Sequence, residues 1–233
     1  MNNLADVLLM FACYTYILSM ILVSSKMDTF LPVSRKVSRK FLHAMIGNLP
    51  FVIPFFSSGV YPVLVAAPFI LVTFAVSPYS PYVDSLSRLK GLAEITEEGH
   101  HLGLILYAIS YTVLALFFAS RPYVIAAGIL PMAYGDSLAS IVGEKWGRRR
   151  YKLLANKSLE GSTAMFFGSL LSLLIGMLFF SQVSVFSFVD GILPTLGAAA
   201  AATLVEVLSP LGFDNLTVPT LGALAFLILY GSA

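Results

Sequence analysis

The sequence predicts an all-α fold, a polytopic membrane bundle of about eight transmembrane helices, forming a single membrane-embedded domain over residues 1–233. Four observations predict it. Hydrophobic residues make up 58% of the chain and charged residues only 11%, where soluble domains carry roughly 25% charged. Mean hydropathy is +0.88. The apolar residues gather into long runs with no alternating strand pattern, and backbone in lipid must satisfy its own hydrogen bonds, so helices are the default. Finally, the basic residues sort to one side of the bundle that these runs define.

The runs lie near 5–23, 42–56, 60–76, 103–119, 122–142, 162–181, 187–206 and 216–231. The first holds the single cysteine, Cys13, which can form no intrachain disulfide. No basic region precedes this run and no small-residue cleavage site follows it, so it reads as a retained span. The second and third are shorter than the roughly 20 residues of a spanning helix. Split only by Ser57, Ser58 and Gly59, they read as a tight helical hairpin or a re-entrant element. Eight spans put loops 24–41, 77–102, 143–161 and 207–215 on one side. That side holds all but Arg121 of the fourteen Lys and Arg residues. The positive-inside tendency makes it cytoplasmic, with both termini outside; in a prokaryote the membrane would be the plasma membrane. The net charge of +2 is less informative than this placement. Nothing points to nucleic acid. A homodimer is compatible with the sequence and not required by it.

One stretch breaks the apolar text: AYGDSLASIVGEKWGRRRYKLLANKSLEGST, residues 133–163. Asp136 lies inside an apolar run, where a charge costs roughly 2.5–3.5 kcal/mol and usually faces a bundle interior. Asp136, Ser140, Gly143 and Gly147 share one helical face, small and polar enough for a ligand or a second backbone to approach. The plain alternative is small-residue helix packing, with Asp136 paired to a nearby lysine. The basic run Lys145, Arg148, Arg149, Arg150 and Lys152 reads on its own as an orientation signal or a contact to anionic headgroups. Next, Lys157 and Ser158 stand where the following helix begins, with Glu160 and Gly161 just inside it. Ser158 can cap that helix, whose free N–H groups favour an anion. A carboxylate beside a phosphate cradle makes sense if a divalent cation bridges them. There is no P-loop string.

Other patches fall on the same side. Arg35, Lys36, Arg39, Lys40 and His43 open the second run, with Arg39 and His43 four apart on one face. Their plain reading is topology signal and interfacial histidine. Glu206 ends an apolar helix, and Asp214 with Asn215 could simply cap the last one. Glu97–His101 contains adjacent histidines that point to different helical faces and form no metal pair. Taken together, acids, bases and a helix N-terminus from four distant regions converge at one membrane face. That suits a nucleotide with a metal and an acceptor resident in the bilayer. Phosphoryl transfer needs positioning, charge neutralisation and one group to orient or deprotonate the attacking hydroxyl.

The strings GDSLASIVGEKWG…NKSLEGS, SRKFLH and VEVLSPLGFDNLTVP resemble, in family order, the elements of the CTP-dependent polyisoprenol kinases, the dolichol and phytol kinase family. The resemblance spans residues 39 to 219. It implies a polytopic enzyme that moves the γ-phosphate of CTP to the terminal hydroxyl of a long isoprenoid alcohol, with Mg²⁺ or another divalent cation, and that residues 135–161 hold CTP. It leaves open which acid binds metal and which acts as base. The assignment taken from it gives the cation to Asp136 and Glu160. The nucleotide and its phosphates fall to Gly135, Ser137, Ser140, Gly143, Lys145, Lys157, Ser158 and Gly161. Arg39, Lys40, His43 and Asn215 approach the nucleotide or the departing diphosphate. Asp214 orients or deprotonates the lipid hydroxyl, with Glu206 its rival.

A CTP-dependent lipid cytidylyltransferase is the nearest competitor. Those enzymes usually carry a later Lys-Asp…Pro-Gly-His-Gly-Gly…Asp-Arg element; here the only charged residues after 161 are Asp190, Glu206 and Asp214. A small transporter or lipid-binding protein is a third reading. Against it, the charges cluster at one face and no interrupted helix recurs in two halves.

Overall fold

A computed structural model describes residues 3–81, 101–154, 156–210 and 212–231. At its centre lies α6, Pro122–Leu130, buried along its whole length. It runs through a π-helical turn, Pro131–Gly135, into α7, Asp136–Trp146. Around this column stand α1 (Asn3–Phe30), α5 (His101–Phe118), α8 (Leu159–Val183), α9 (Phe188–Leu208) and α10 (Asp214–Gly231). Among the described residues five helical stretches are long and apolar enough to cross a membrane: Asn3–Phe30, Pro122–Trp146, Leu159–Val183, Phe188–Leu208 and Asp214–Gly231. Shorter apolar helices cover Val60–Ala75 and Leu102–Phe118. Leu8, Phe11 and Leu22 on α1, and Leu171, Ile175 and Leu178 on α8, are exposed. Such a belt faces lipid, since nothing apolar is gained by turning it inward there.

The 42–56 run is not a span. Arg35–Ile46 forms an amphipathic helix, α2, and Leu49–Phe55 a 3₁₀ turn. Gly47 and Asn48 end the α-helix, and Pro50 and Pro54 keep the next seven residues from an α-helical ladder. The 60–76 run is a helix broken at Pro68, giving α3 (Val60–Ala66) and α4 (Pro68–Ala75). Pro68 has no N–H for the Leu64 carbonyl four residues back. The Tyr14 hydroxyl of α1 donates to that oxygen instead, at 2.6 Å. The bundle is all-α as expected, with one small β-hairpin among the described residues: β1 (Arg150–Lys152) pairs antiparallel with β2 (Asn156–Ser158), Tyr151 opposite Lys157.

Close approach packs the centre. A Cβ on Gly128 would overlap the Pro219 carbonyl, so α6 and α10 cross backbone to backbone there. Val124, Ile125, Ala126, Ala127, Ile129 and Leu130 have no exposed surface. α9 lays Ala198, Ala199 and Ala202 into the same core.

Candidate active site

Lys40 and His43 reach the interior because α2 is amphipathic, with Ser38, Leu42 and His43 on its buried face. Ser34 caps the helix, accepting from Val37 N. The Ser24 hydroxyl donates to Ser38 O at 2.6 Å, holding α2 against α1. His43 stacks on Tyr107 of α5, ring centroids 5.0 Å apart and planes within 11°.

Asp136 is aimed by the π turn. Its N–H donates to Pro131 O, five residues back. Such a bulge inserts an extra residue into the helix and turns the following side chains to a new face; π-bulges are frequent at functional sites. The Lys40 ammonium donates to Asp136, and both side chains are largely buried, 12% and 8% exposed. The Ser137 hydroxyl donates to Ala133 O at 2.5 Å and also lies 3.2 Å from Lys40 O.

Lys157 is presented by the hairpin. Leu159 N donates to Arg149 O, and the Tyr151 hydroxyl shares a 2.5 Å hydrogen bond with Ser162, so the hairpin is pinned to the start of α8. Lys157 then donates to Glu206, buried in the last turns of α9. Ser158 caps α8 by accepting from Gly161 N at 3.1 Å. Burial works against the charge on Lys157. The Glu206 carboxylate outweighs it, Asp136 and Asp214 add to the effect, and the ammonium is held above its ordinary value of 10.5. Lys157 therefore carries its charge throughout the neutral range.

The C-terminal acids follow from a proline. Pro219 in α10 leaves Asn215 O without a helical donor, and the Ser110 hydroxyl of α5 donates to it at 2.8 Å. That tie fixes the first turn of α10. There Asn215 donates to Asp214 Oδ1 through both its backbone N and Nδ2, each at 3.0 Å. Asp136 interacts electrostatically with Lys40, His43 and Lys157, and Asp214 with Asp136, Lys40 and Lys157.

The structure thus brings together Lys40, His43, Asp136, Lys157, Glu206 and Asp214, with Ser137 and Asn215 beside them. It places other expected residues elsewhere. Both Glu160 oxygens lie 3.3 Å from Arg149 N, on the hairpin. Lys145 is exposed over the Trp146 ring. Gly143, Gly147 and Gly161 meet one another and Ser158 where α7 packs on α8: a Cβ on Gly161 would sit 3.0 Å from Ala139 O. Gly135 is pressed against Met165 and Ser169 of α8. The small face is therefore occupied by helix packing, and Ser140 is half-buried along it. Arg39 is half-buried on α2. Glu97–His100 and the His101 side chain lie outside the described residues. Sequence reasoning missed Tyr107, Ser110 and the π turn. Pro131 and Pro219, each inside an apolar helix, were the available signals for the last two.

Among the described residues no group of three or more His, Cys, Asp or Glu side chains converges tightly enough to hold a metal by itself. The donor set still fits a cation shared with phosphate oxygens, because Mg²⁺ usually takes only one or two carboxylates and completes its shell with phosphate and water.

Fold and site define a class: an integral-membrane helical bundle with paired lysines and carboxylates buried at its helix ends. The chain is 32% identical over 219 residues to phytol kinase of Synechocystis sp., covering 90% of this chain and 86% of that one. It is 29% identical over 210 residues to the chloroplastic farnesol kinase of Arabidopsis thaliana, covering 84% of this chain and 66% of the plant protein. It is 31% identical over 202 residues to dolichol kinase of Saccharomyces cerevisiae, covering 80% of this chain and 36% of the yeast protein. No family model matches the chain, and no solved structure matches it. The chain belongs to the polyisoprenol kinase family, that of the phytol and dolichol kinases.

Proposed function

We propose that this chain transfers the γ-phosphate of CTP to the terminal hydroxyl of an isoprenoid alcohol at the cytoplasmic face of the membrane. The observation that carries the reading is the pair of ion pairs: Lys40 with Asp136 and Lys157 with Glu206, drawn from four separate elements. Two half-buried lysines are suited to the triphosphate, and exchanging a carboxylate partner for phosphate oxygens keeps each ammonium compensated. Asp136 is then free to hold a divalent cation together with the phosphates; Glu160 joins it only by giving up Arg149 N–H. Bound there, the cation would neutralise charge building up on the phosphate oxygens.

Asp214 is the acid best suited to act as base. Oδ1 is committed to Asn215, and the carboxylate is not ion-paired to a lysine as Glu206 is. It takes the proton of the alcohol hydroxyl while that oxygen bonds to the γ-phosphorus. The bond from the γ-phosphorus to the bridging oxygen breaks, and CDP leaves with the electron pair. The products are the isoprenyl phosphate and CDP. Lys40 and Lys157 balance the charge on the departing diphosphate.

The test is purified protein with γ-labelled CTP, Mg²⁺ and isoprenoid alcohols, run beside Asp136→Asn. Label entering the alcohol, and lost in the variant, is the expected result. Transfer of CMP from α-labelled CTP to phosphatidate would overturn the reading in favour of a cytidylyltransferase.

A further inference from the structure

An apolar groove of about 550 Å³, its open mouth included, runs between α1, α2, α3, α4 and α5. Ile17, Leu42, Val65, Phe69, Ala108 and Tyr111 are among the residues that line it. Two observations indicate what it receives. The groove shares a wall with the charged site. Leu42 lines the groove while His43, the next residue on α2, stacks on Tyr107, which also lines it, and His43 interacts electrostatically with Asp136. The second is the lining itself: the surface presented to the groove is wholly apolar, which suits a hydrocarbon chain and would leave a polar ligand unpaired.

We infer that this groove is the tail site, holding the isoprenoid chain of the alcohol with its hydroxyl end at the His43–Tyr107 stack. The inference rests on the proposed kinase reading for the identity of the tail. Because the groove is open at its mouth, it can take a short isoprenoid alcohol, or the head-proximal part of a longer one whose remainder lies in the lipid. A tail within lipid gains nothing from apolar contact as such. Selectivity comes from shape, so narrowing the groove is the informative perturbation.

The experiment uses the full chain in detergent with geranylgeraniol carrying a diazirine on its tail. Expected labelling falls on Val65, Ala66 or Tyr111, and is competed by unlabelled geranylgeraniol but not by phosphatidylglycerol. Labelling confined to lipid-facing residues such as Leu8 or Leu22, or equal competition by the phospholipid, overturns the inference. Separately, Ala66→Leu and Ala108→Leu should lower phosphorylation of geranylgeraniol relative to the shorter farnesol by about tenfold. An unchanged ratio in both variants counts against it. Labelling in the groove without phosphorylation of any alcohol would defeat the kinase reading and leave the groove standing.

Discussion

Lys40 and Asp136 lie 96 residues apart in the chain and meet as a buried ion pair. Removing one partner of such a pair leaves an uncompensated charge and costs about 3–5 kcal/mol, whereas replacing both by apolar groups is often neutral. Lys40→Met should therefore melt well below the unaltered protein, and Lys40→Met/Asp136→Leu should recover most of the loss. Neither should recover phosphoryl transfer, which should fall at least about a hundredfold in both. Melting curves in detergent beside labelled-CTP assays separate the two effects. A double variant that regains activity would reduce the pair to a structural tie.

Lys157 gives a pH dependence with a definite sign. Its folded value lies above the ordinary 10.5. Its contribution to stability is fully present below 10.5 and is lost as pH rises through the folded value. Between pH 7 and 9 Lys157 should contribute no slope to the melting temperature. Above 10.5 the unaltered protein should lose stability faster than Lys157→Met. Thermal melts across an alkaline series in one detergent are the measurement.

Ser110 ties down the turn of α10 that carries Asp214, donating to the carbonyl of Asn215. Ser110→Ala leaves Asn215 O, already abandoned by Pro219, without its donor. An unsatisfied buried group costs about 1–3 kcal/mol. The first turn of α10 should loosen, lowering kcat with little change in the KM for CTP. Ser110→Thr, which keeps the hydroxyl, should rescue it. Equal loss in both variants would mean that packing, and not this hydrogen bond, matters at that position.

Gly128→Ala should destabilise the bundle although alanine is the better helix former. The added Cβ would meet Pro219 O, a backbone atom that cannot swing aside. Overpacking of this kind costs about 1–3 kcal/mol, more than the roughly 1 kcal/mol that alanine gains in a helix. A melting temperature equal to or above that of the unaltered protein would show that the two helices can part there freely.

Much of this was readable before any coordinates. Apolar runs set the spans from α5 onward to within a few residues, because lipid enforces long, internally bonded helices. The structure brings Lys40, Asp136, Lys157, Glu206 and Asp214 together, as the sequence suggested, although the alternation of sides behind that suggestion counted 42–56 as a span. What failed was local. The 42–56 run looked like a span because hydropathy does not register that Pro50 and Pro54 prevent a helical ladder. The short β-hairpin at 150–158 was hidden by its charges, which read as a basic loop. Glu160 reads as a site acid from its neighbours in sequence, and that reading does not register the Arg149 N–H that its carboxylate accepts from. Whether Gly143 and Gly161 face a ligand or each other depends on helix separation, which a sequence does not encode directly.

The two ion pairs share an order. In each the lysine precedes its acid, Lys40 by 96 residues and Lys157 by 49. On a chain made from its N-terminus, each cation is therefore synthesised before the acid it will neutralise. α2 is present to receive Asp136, and the hairpin is present to receive Glu206. Each carboxylate therefore follows its counter-charge in the chain, an order that suits helices carrying an acid costly to place in lipid. The same order leaves Asp214 the last of the site's charged residues to be made.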